Sequence, residues 1–287
     1  MGSFSILNNI AGLNAQNQLT NNNVSLTRTL TRLSSGKRIN SGADDAAGLQ
    51  IADSLRANIQ ALNQASQNAN DGIGVAQIAD GALQEITNIL TRSITLAEEA
   101  STGTVDSTGR ASLNAEFTQI QAEIARIATQ TNFNGVGIFT PAAGLSGSLS
   151  VFVGDTFAAS SISVTVNTIT VAGSTVTNIG GQNLAGLSLD TAIGAVSALS
   201  TIKLALSGIS ADRGSVGAGI NRLQAAVSVM QTQSQNSQAA ESTIRDANLA
   251  QEISNLTKYQ ILAQSGIAAL AQANTNSQLI LSLFKTV

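Results

Sequence analysis

The 287-residue chain has no cysteine, no histidine and no tryptophan. Without cysteine there are no disulfides and no thiol nucleophile. With histidine also absent, zinc sites of the usual Cys/His kind are excluded. A Ser-His-Asp triad and an H-E-x-x-H metalloprotease motif are excluded too. Aromatics make up 3% of the residues, charged side chains 11%, and there is one proline. So few aromatics argue against a thick globular core and for long, thin helical packing through Ala, Leu, Ile and Val. The net charge of −3 gives no reason to expect a nucleic-acid partner. No apolar run approaches the roughly 18 residues of a membrane span, so no membrane insertion is expected. The start Met1-Gly2-Ser3-Phe4 lacks the basic region and apolar core of a cleaved signal. Ile6 stands where an N-myristoylated chain would have Ser or Thr. No cluster of carboxylates or lysines points to catalysis. The expectation is no enzyme, no cofactor and no metal.

What the chain does have is helical periodicity. Leu249, Ile253, Leu256, Gln260, Ala263, Ile267, Leu270, Asn274, Ser277, Leu281 and Phe284 recur in steps of four and three. This is the a/d seam of a helix lying along another helix. From Tyr259 to Phe284 there is no charged residue, and from Met1 to Thr27 there is none either. At the N-terminal end, Ile6, Ile10 and Leu13 form a short seam. Leu19, Leu26, Leu30 and Leu33 continue it after a shift of phase. Two charge-free amphipathic helices at opposite ends suggest that the ends pair. The burial along these seams does not offset the entropy of ordering both ends. The ends are therefore expected to be loosely ordered in the monomer and to fold on assembly.

Between the ends, residues 4–33 read as a helix, broken by Gly36 and Gly42. Ser41-x-x-Asp44 has the spacing of a capping box, with Asp44 and Asp45 in the first turn of the next helix. That helix runs from Asp44 to about Ala100 and would span about 85 Å. Leu55, Ile59, Leu62, Ala69, Ile73, Ala76, Leu83, Leu90 and Ile94 keep one register. Ala82, Ile86, Ile89 and Leu96 form a second stripe, which implies a bundle. Gly72, Gly74 and Gly81 weaken its middle. A third helix carries Leu113, Phe117, Ile120, Ile124 and Ile127. From Asn132-Phe133-Asn134-Gly135 the period becomes two: Leu149, Val151, Val153, then Ile162, Val164, Val166, then Ile169, Val171. These are hairpins with Ser and Thr outward. Helix resumes near Leu189, with Leu199, Ile202, Leu206, Ile209, Arg213, Val216, Ile220, Leu223, Val227 and Met230 on one seam. The fold class is mainly α: a long antiparallel helical bundle or coiled coil with paired terminal helices and a small β-hairpin region.

Leu33-Ser-Ser-Gly-Lys-Arg-Ile-Asn-Ser-Gly-Ala-Asp-Asp-Ala-Ala-Gly-Leu-Gln-Ile-Ala52 resembles the N-terminal signature of bacterial flagellins. Gly81-Ala-Leu-Gln-Glu-Ile86, Phe133-Asn-Gly-Val136, Gly219-Ile-Asn-Arg-Leu223, Ser242-Thr-Ile-Arg-Asp-Ala247, Gln260-Ile-Leu-Ala-Gln264 and Leu270-Ala-Gln-Ala-Asn274 match in order. The resemblance covers about residues 3–140 and 188–285, and it is to a short form lacking large outer domains.

The resemblance implies an inner coiled-coil domain made of residues 1–43 and 243–287. It implies a middle domain made of helices and hairpins over 44–187 and a returning helix over 188–242. It implies a structural subunit of the hollow helical flagellar filament, secreted uncleaved by the flagellar export route and extracellular. The alternative is a hook–filament junction protein. The implied partners are further copies of itself, an export chaperone, hook-associated and cap proteins, and the host Toll-like receptor that senses flagellin. Ile6, Ile10, Leu13, Leu26, Leu30, Leu33, Leu249, Ile253, Leu256, Ile267, Leu270, Leu281 and Phe284 are the expected assembly residues. Arg38, Asp44 and Asp45 are expected to make polar contacts at the inter-domain connection. Arg92 and Glu116 match receptor-contact positions, whereas Thr91 and Thr95 depart from the Gln and Glu usual in strong agonists.

Overall fold

The structure is a computed structural model that describes residues 9–140, 147–154, 161–173 and 175–285. The described helices are α1 (Ile10–Ser35), α2 (Ala46–Ser101), α3 (Ser107–Gln130), α4 (Ala192–Arg245) and α5 (Leu249–Lys285). Short strands lie between α3 and α4: β1 (Asn132–Phe133), β2 (Val136–Gly137), β3 (Ser148–Phe152), β4 (Ser161–Thr165), β5 (Thr170–Ala172) and β6 (Thr175–Asn178). They pair antiparallel as β1–β2, β3–β4 and β5–β6. The chain forms two compact units, one of residues 1–57 and 236–287 and one of residues 58–235.

Each helix begins at a short polar side chain that takes an otherwise unpaired backbone N–H. Asn9 Oδ1 accepts from Gly12 N at 2.8 Å and Asp45 Oδ1 from Gly48 N at 2.9 Å. Asp106 Oδ1 accepts from Gly109 N, Thr191 Oγ1 from Gly194 N, and Asn248 Oδ1 from Gln251 N. The expected box at Ser41 is corrected by this pattern. The cap of α2 is Asp45, and no acidic residue lies in the first turn. Asp44 instead folds back on the turn before the helix. Two carboxylates in succession compete for the cap, and the second one reaches the N–H three residues on.

The second unit is a bundle with one continuous core. On α2, Leu62, Ala65, Ala69, Gly72, Ala76, Ala79, Leu83, Ile86, Leu90, Ser93, Ala97 and Ala100 are buried in steps of three and four. On α4, Ile202, Ile209, Val216, Leu223 and Met230 are buried one heptad apart, and Leu199, Leu206, Ile220 and Val227 are packed against them. The two helices run antiparallel: Asn63 meets Ser234, Asp80 meets Arg213 at 2.9 Å, and Glu98 meets Lys203 at 3.4 Å. Arg213, the one polar member of the α4 seam, is thus held by an ion pair with α2. Phe117, Ile124 and Ile127 of α3 close the core, joined by Phe139.

The β3–β4 hairpin lies on this bundle with Val151 and Val164 inward. Val164 fits against Gly219 of α4, where a Cβ would meet its Cγ1 at 2.6 Å. The loop after β6 approaches α4 as closely, since a Cβ on Gly208 would lie 2.3 Å from Gly180 O. By composition alone, α4 is long and apolar enough to cross a membrane, with an 18-residue window of mean hydropathy 1.6. The run-length expectation missed this because small and polar residues interrupt the apolar ones. The heptad-spaced apolar residues of α4 are spent on the bundle core.

Candidate assembly interface

The first unit is built on α1 and α5, which pair antiparallel. The α1 face toward α5 carries Gly12, Ala15, Leu19, Asn22, Leu26, Thr29 and Leu33, the positions that lose exposure along the helix. The α5 face carries Glu252, Leu256, Tyr259, Ala263, Gly266, Leu270 and Ala273. Leu19 packs on Gly266, with Leu19 Cβ 3.9 Å from the place a Cβ would occupy there. Asn9 Nδ2 donates to Ala273 O at 3.2 Å and Asn22 Nδ2 to Tyr259 O at 2.9 Å. Arg32 Nη1 meets Glu252 Oε1 at 3.5 Å, and Glu252 is only 7% exposed.

This corrects the expected seam. Leu256, Ala263 and Leu270 are on it, but the alternate members fall one residue earlier: Glu252, Tyr259, Gly266 and Ala273 replace Ile253, Gln260, Ile267 and Asn274. One residue is about 100° of helix rotation. On α1, Leu19, Leu26 and Leu33 are on the seam, Thr29 replaces Leu30, and Gly12 and Ala15 replace Ile10 and Leu13. No phase shift occurs. The internal contact uses small residues, which let the helices approach.

A second set of large apolar side chains is turned outward. Ile10 is 63% exposed and Ile267 59%, and Leu13, Val24, Leu30, Leu249, Ile253, Ile261, Leu262 and Leu279 are also exposed. Two open grooves flank the helix contact. One of about 840 Å³ is lined by Ile10, Leu13 and Leu270, the other of about 520 Å³ by Leu19, Tyr259 and Leu262. Large apolar side chains left exposed along a pair of helices mark surface that another macromolecule covers. Ile6 lies outside the described residues. Leu281 and Phe284 fall within α5, but their side chains lie outside the described residues.

The connection after α1 is tied to the connection before α5. Gly36 ends α1 in the left-handed region at φ 69°. Its carbonyl accepts from Ala247 N at 2.9 Å, and Arg38 N donates to Arg245 O at 2.7 Å. Arg38 Nη2 donates to Ile244 O at 2.7 Å. Asp44 Oδ2 accepts from Asn40 N, Ser41 N and Ser41 Oγ, and Oδ1 faces Arg28 and Arg32 at 3.9 and 4.0 Å. Burial would raise its pKa, but these hydrogen bonds and Arg32 outweigh that and hold it below the usual carboxylate value. Arg245 continues the polar cluster to Asp53 at 3.1 Å, and Arg56 meets Glu241 at 2.7 Å.

In the second unit Arg92 Nε donates to Glu116 Oε1 at 2.9 Å, joining α2 to α3 on the surface. The Thr91 and Thr95 hydroxyls turn back to carbonyls of their own helix. Asn9, Asn22 and Glu252 were not anticipated as interface residues. The one available signal was Glu252, a lone carboxylate in step with Leu256, Tyr259 and Ala263.

The comparisons with known proteins agree with this architecture. Residues 6–143 match the bacterial flagellin N-terminal helical region, and residues 199–284 match the bacterial flagellin C-terminal helical region. The chain is 37% identical to Flagellin FlaB1 of Treponema pallidum, over 98% of this chain and 99% of that protein. It is 36% identical to Flagellin of Bacillus subtilis, over 98% and 99%. A solved chain described as a flagellar hook-associated protein from Vibrio parahaemolyticus aligns with a TM-score of 0.56 over 71% of this chain and 100% of that one. It shares 13% identity, a likeness of fold alone. With both terminal helical regions matched and relatives aligned end to end, the chain belongs to the bacterial flagellin family.

Proposed function

We propose that the outward apolar faces of α1 and α5 are the surfaces through which copies of this chain stack on one another. As a flagellin, the chain is a structural subunit of the flagellar filament. The single observation that carries the proposal is the second set of large apolar side chains on the terminal helices. Leu19, Leu26, Leu33, Leu256 and Leu270 share the inward faces with small and polar residues, whereas Ile10, Leu13, Leu30, Leu249, Ile253 and Ile267 face solvent. A monomer gains nothing from that arrangement. A helical polymer buries all of it.

Residues 1–43 with 243–287 are read as the inner domain, and 44–187 with 188–242 as the middle domain. Arg38, Asp44 and Asp45 fasten the connection between them. The chain acts without catalysis, cofactor or metal. It leaves the cell by the flagellar export route, after a chaperone has covered the C-terminal helix, and meets hook-associated and cap proteins at the filament ends. The charge-free run from Tyr259 to Phe284 suits a central channel, because Asn, Gln and Ser do not trap passing Lys or Glu side chains. Arg92 and Glu116 serve as contacts for the host Toll-like receptor.

The test is seeded elongation watched by negative-stain electron microscopy, with the full chain compared to one ending at Asn248. The full chain lengthens the seeds and the truncated chain does not. A full chain that stays dispersed at micromolar concentration overturns the reading.

A further inference from the structure

Two faces of α5 compete for α1. One is the face in use, with Glu252, Tyr259, Gly266 and Ala273 alternating with Leu256, Ala263 and Leu270. The other keeps Leu256, Ala263 and Leu270 and replaces Glu252, Tyr259, Gly266 and Ala273 with Ile253, Gln260, Ile267 and Asn274. By burial of apolar surface alone the second face is the better partner, since two isoleucines outweigh the Tyr259 ring and the Ala273 methyl and the Glu252 carboxylate is left out. Yet Ile253 and Ile267 stay exposed.

The residues that make the difference are polar and sit on the α1 seam or at its end. Asn22, between Leu19 and Leu26, donates to Tyr259 O. Asn9 donates to Ala273 O about four helical turns away. Both acceptors are carbonyls on the face in use. Turning α5 onto the second face carries those carbonyls away from Asn22 and Asn9 and breaks both backbone hydrogen bonds. The third fixed point is Arg32 with Glu252, whose partner oxygen would rotate out of reach. Asn22 and the Arg32–Glu252 pair exact a cost in the observed state as well. Asn22 Oδ1, Arg32 Nε and Glu252 Oε2 are buried with no hydrogen-bond partner among the described residues. Buried polar groups that weaken a helix pair while fixing its register are a known device in coiled coils.

We propose that Asn9, Asn22 and the Arg32–Glu252 pair select the less apolar face of α5 for the contact inside the chain. They thereby hold the more apolar face, with Ile253 and Ile267, outward for a second copy. This selection deepens the assembly reading above and rests on it for its purpose, but not for its geometry.

The absence of native cysteine makes disulfide trapping a clean readout. A Leu19→Cys/Gly266→Cys chain reports the face in use, because the Cβ separation of 3.9 Å is that of a disulfide. A Leu19→Cys/Ile267→Cys chain reports the rotated face. Both are oxidised at high dilution, and intramolecular closure is read on a non-reducing gel. In the otherwise native chain the first reporter closes nearly completely and the second stays at background.

Adding Asn9→Ala, Asn22→Ala and Glu252→Ala moves closure to the second reporter, with at least a threefold fall in the first. The swap Arg32→Glu/Glu252→Arg keeps the native pattern. The proposal is overturned if the triple variant closes as the parent does, or closes neither reporter, or if the parent itself fails to close Leu19→Cys/Gly266→Cys. Seeded elongation of the cysteine-free chain is scored separately. A chain that closes correctly but does not elongate seeds sinks the filament surface and leaves the face selection standing.

Discussion

Val151 of β3 seats its Cγ2 where a Cβ on Gly72 of α2 would come within 2.5 Å. Gly72 therefore acts as a notch, and Gly219 does the same for Val164. In a helix interior, Gly to Ala normally stabilises by about 1 kcal/mol. Here the sign reverses. Gly72→Ala and Gly219→Ala each destabilise by about 1–3 kcal/mol, because a branched side chain in a packed site has to move. Gly74→Ala and Gly81→Ala meet open space and stabilise by up to about 1 kcal/mol. Urea denaturation of the four variants checks the opposite signs.

The outward isoleucines give a second separation. Ile253→Ser and Ile267→Ser remove side chains that are already more than half exposed, so the soluble chain keeps its helicity and melting temperature. In a polymer that buries them, each substitution costs about 1.5–3 kcal/mol per contact. That corresponds to a rise of about ten- to a hundredfold in the concentration needed for elongation. Sedimentation across a dilution series measures it. Equal losses of helicity in the soluble chain would place these residues inside the fold instead.

Much of this is legible in the sequence. The heptads of α2 and α4, the two-residue period at Val151 and Val164, and the pairing of the ends all follow from the spacing of apolar residues. The seam of α5 was misread by one residue because periodicity finds the most apolar stripe. On α5 that stripe contains Ile253 and Ile267, which lie exposed beside the contact with α1. The contact through Gly266 and Ala273 is too small-sided to stand out. The notch at Gly72 was equally hidden, since a helical glycine reads as weakness until its neighbour is known. At the start of α2, Asp44 and Asp45 are both good caps, and spacing could not choose between them.

Two carboxylates make opposite contributions as pH changes. Asp44 is held below its usual pKa despite some burial, by hydrogen bonds from Asn40 and Ser41 and by Arg32. Its contribution is present above the unfolded carboxylate range and is lost as pH falls through the folded pKa. Asp212 is raised by burial, only partly offset by Asn167, and the described residues of the hairpin segments bring it no cation. Arg213, its neighbour on α4, is turned to Asp80. The charge on Asp212 therefore destabilises above its folded pKa, and that penalty fades as pH falls through the folded pKa and is gone below the unfolded value. Asp44→Ala lowers stability most at neutral pH, and Asp212→Asn raises it most at neutral pH. Both effects shrink toward zero in acid. Urea midpoints measured from pH 7 down through the carboxylate range check the pair of trends.

The proposed receptor role of Arg92 and Glu116 has to be separated from their ion pair. The side chains are 58% and 44% exposed, so their mutual attraction contributes at most about 1 kcal/mol. Arg92→Ala and Glu116→Ala should leave the melting temperature within a degree or two of the parent. If both side chains touch the receptor, each substitution still raises the concentration for half-maximal signalling by at least tenfold in reporter cells, because a desolvated charged contact outweighs an exposed one. The Thr91→Gln/Thr95→Glu chain restores the polar groups usual beside them and should lower that concentration. Both hydroxyls now bond only their own helix, so nothing internal is lost. Responses unchanged in all three chains would reduce Arg92 and Glu116 to a surface link between α2 and α3.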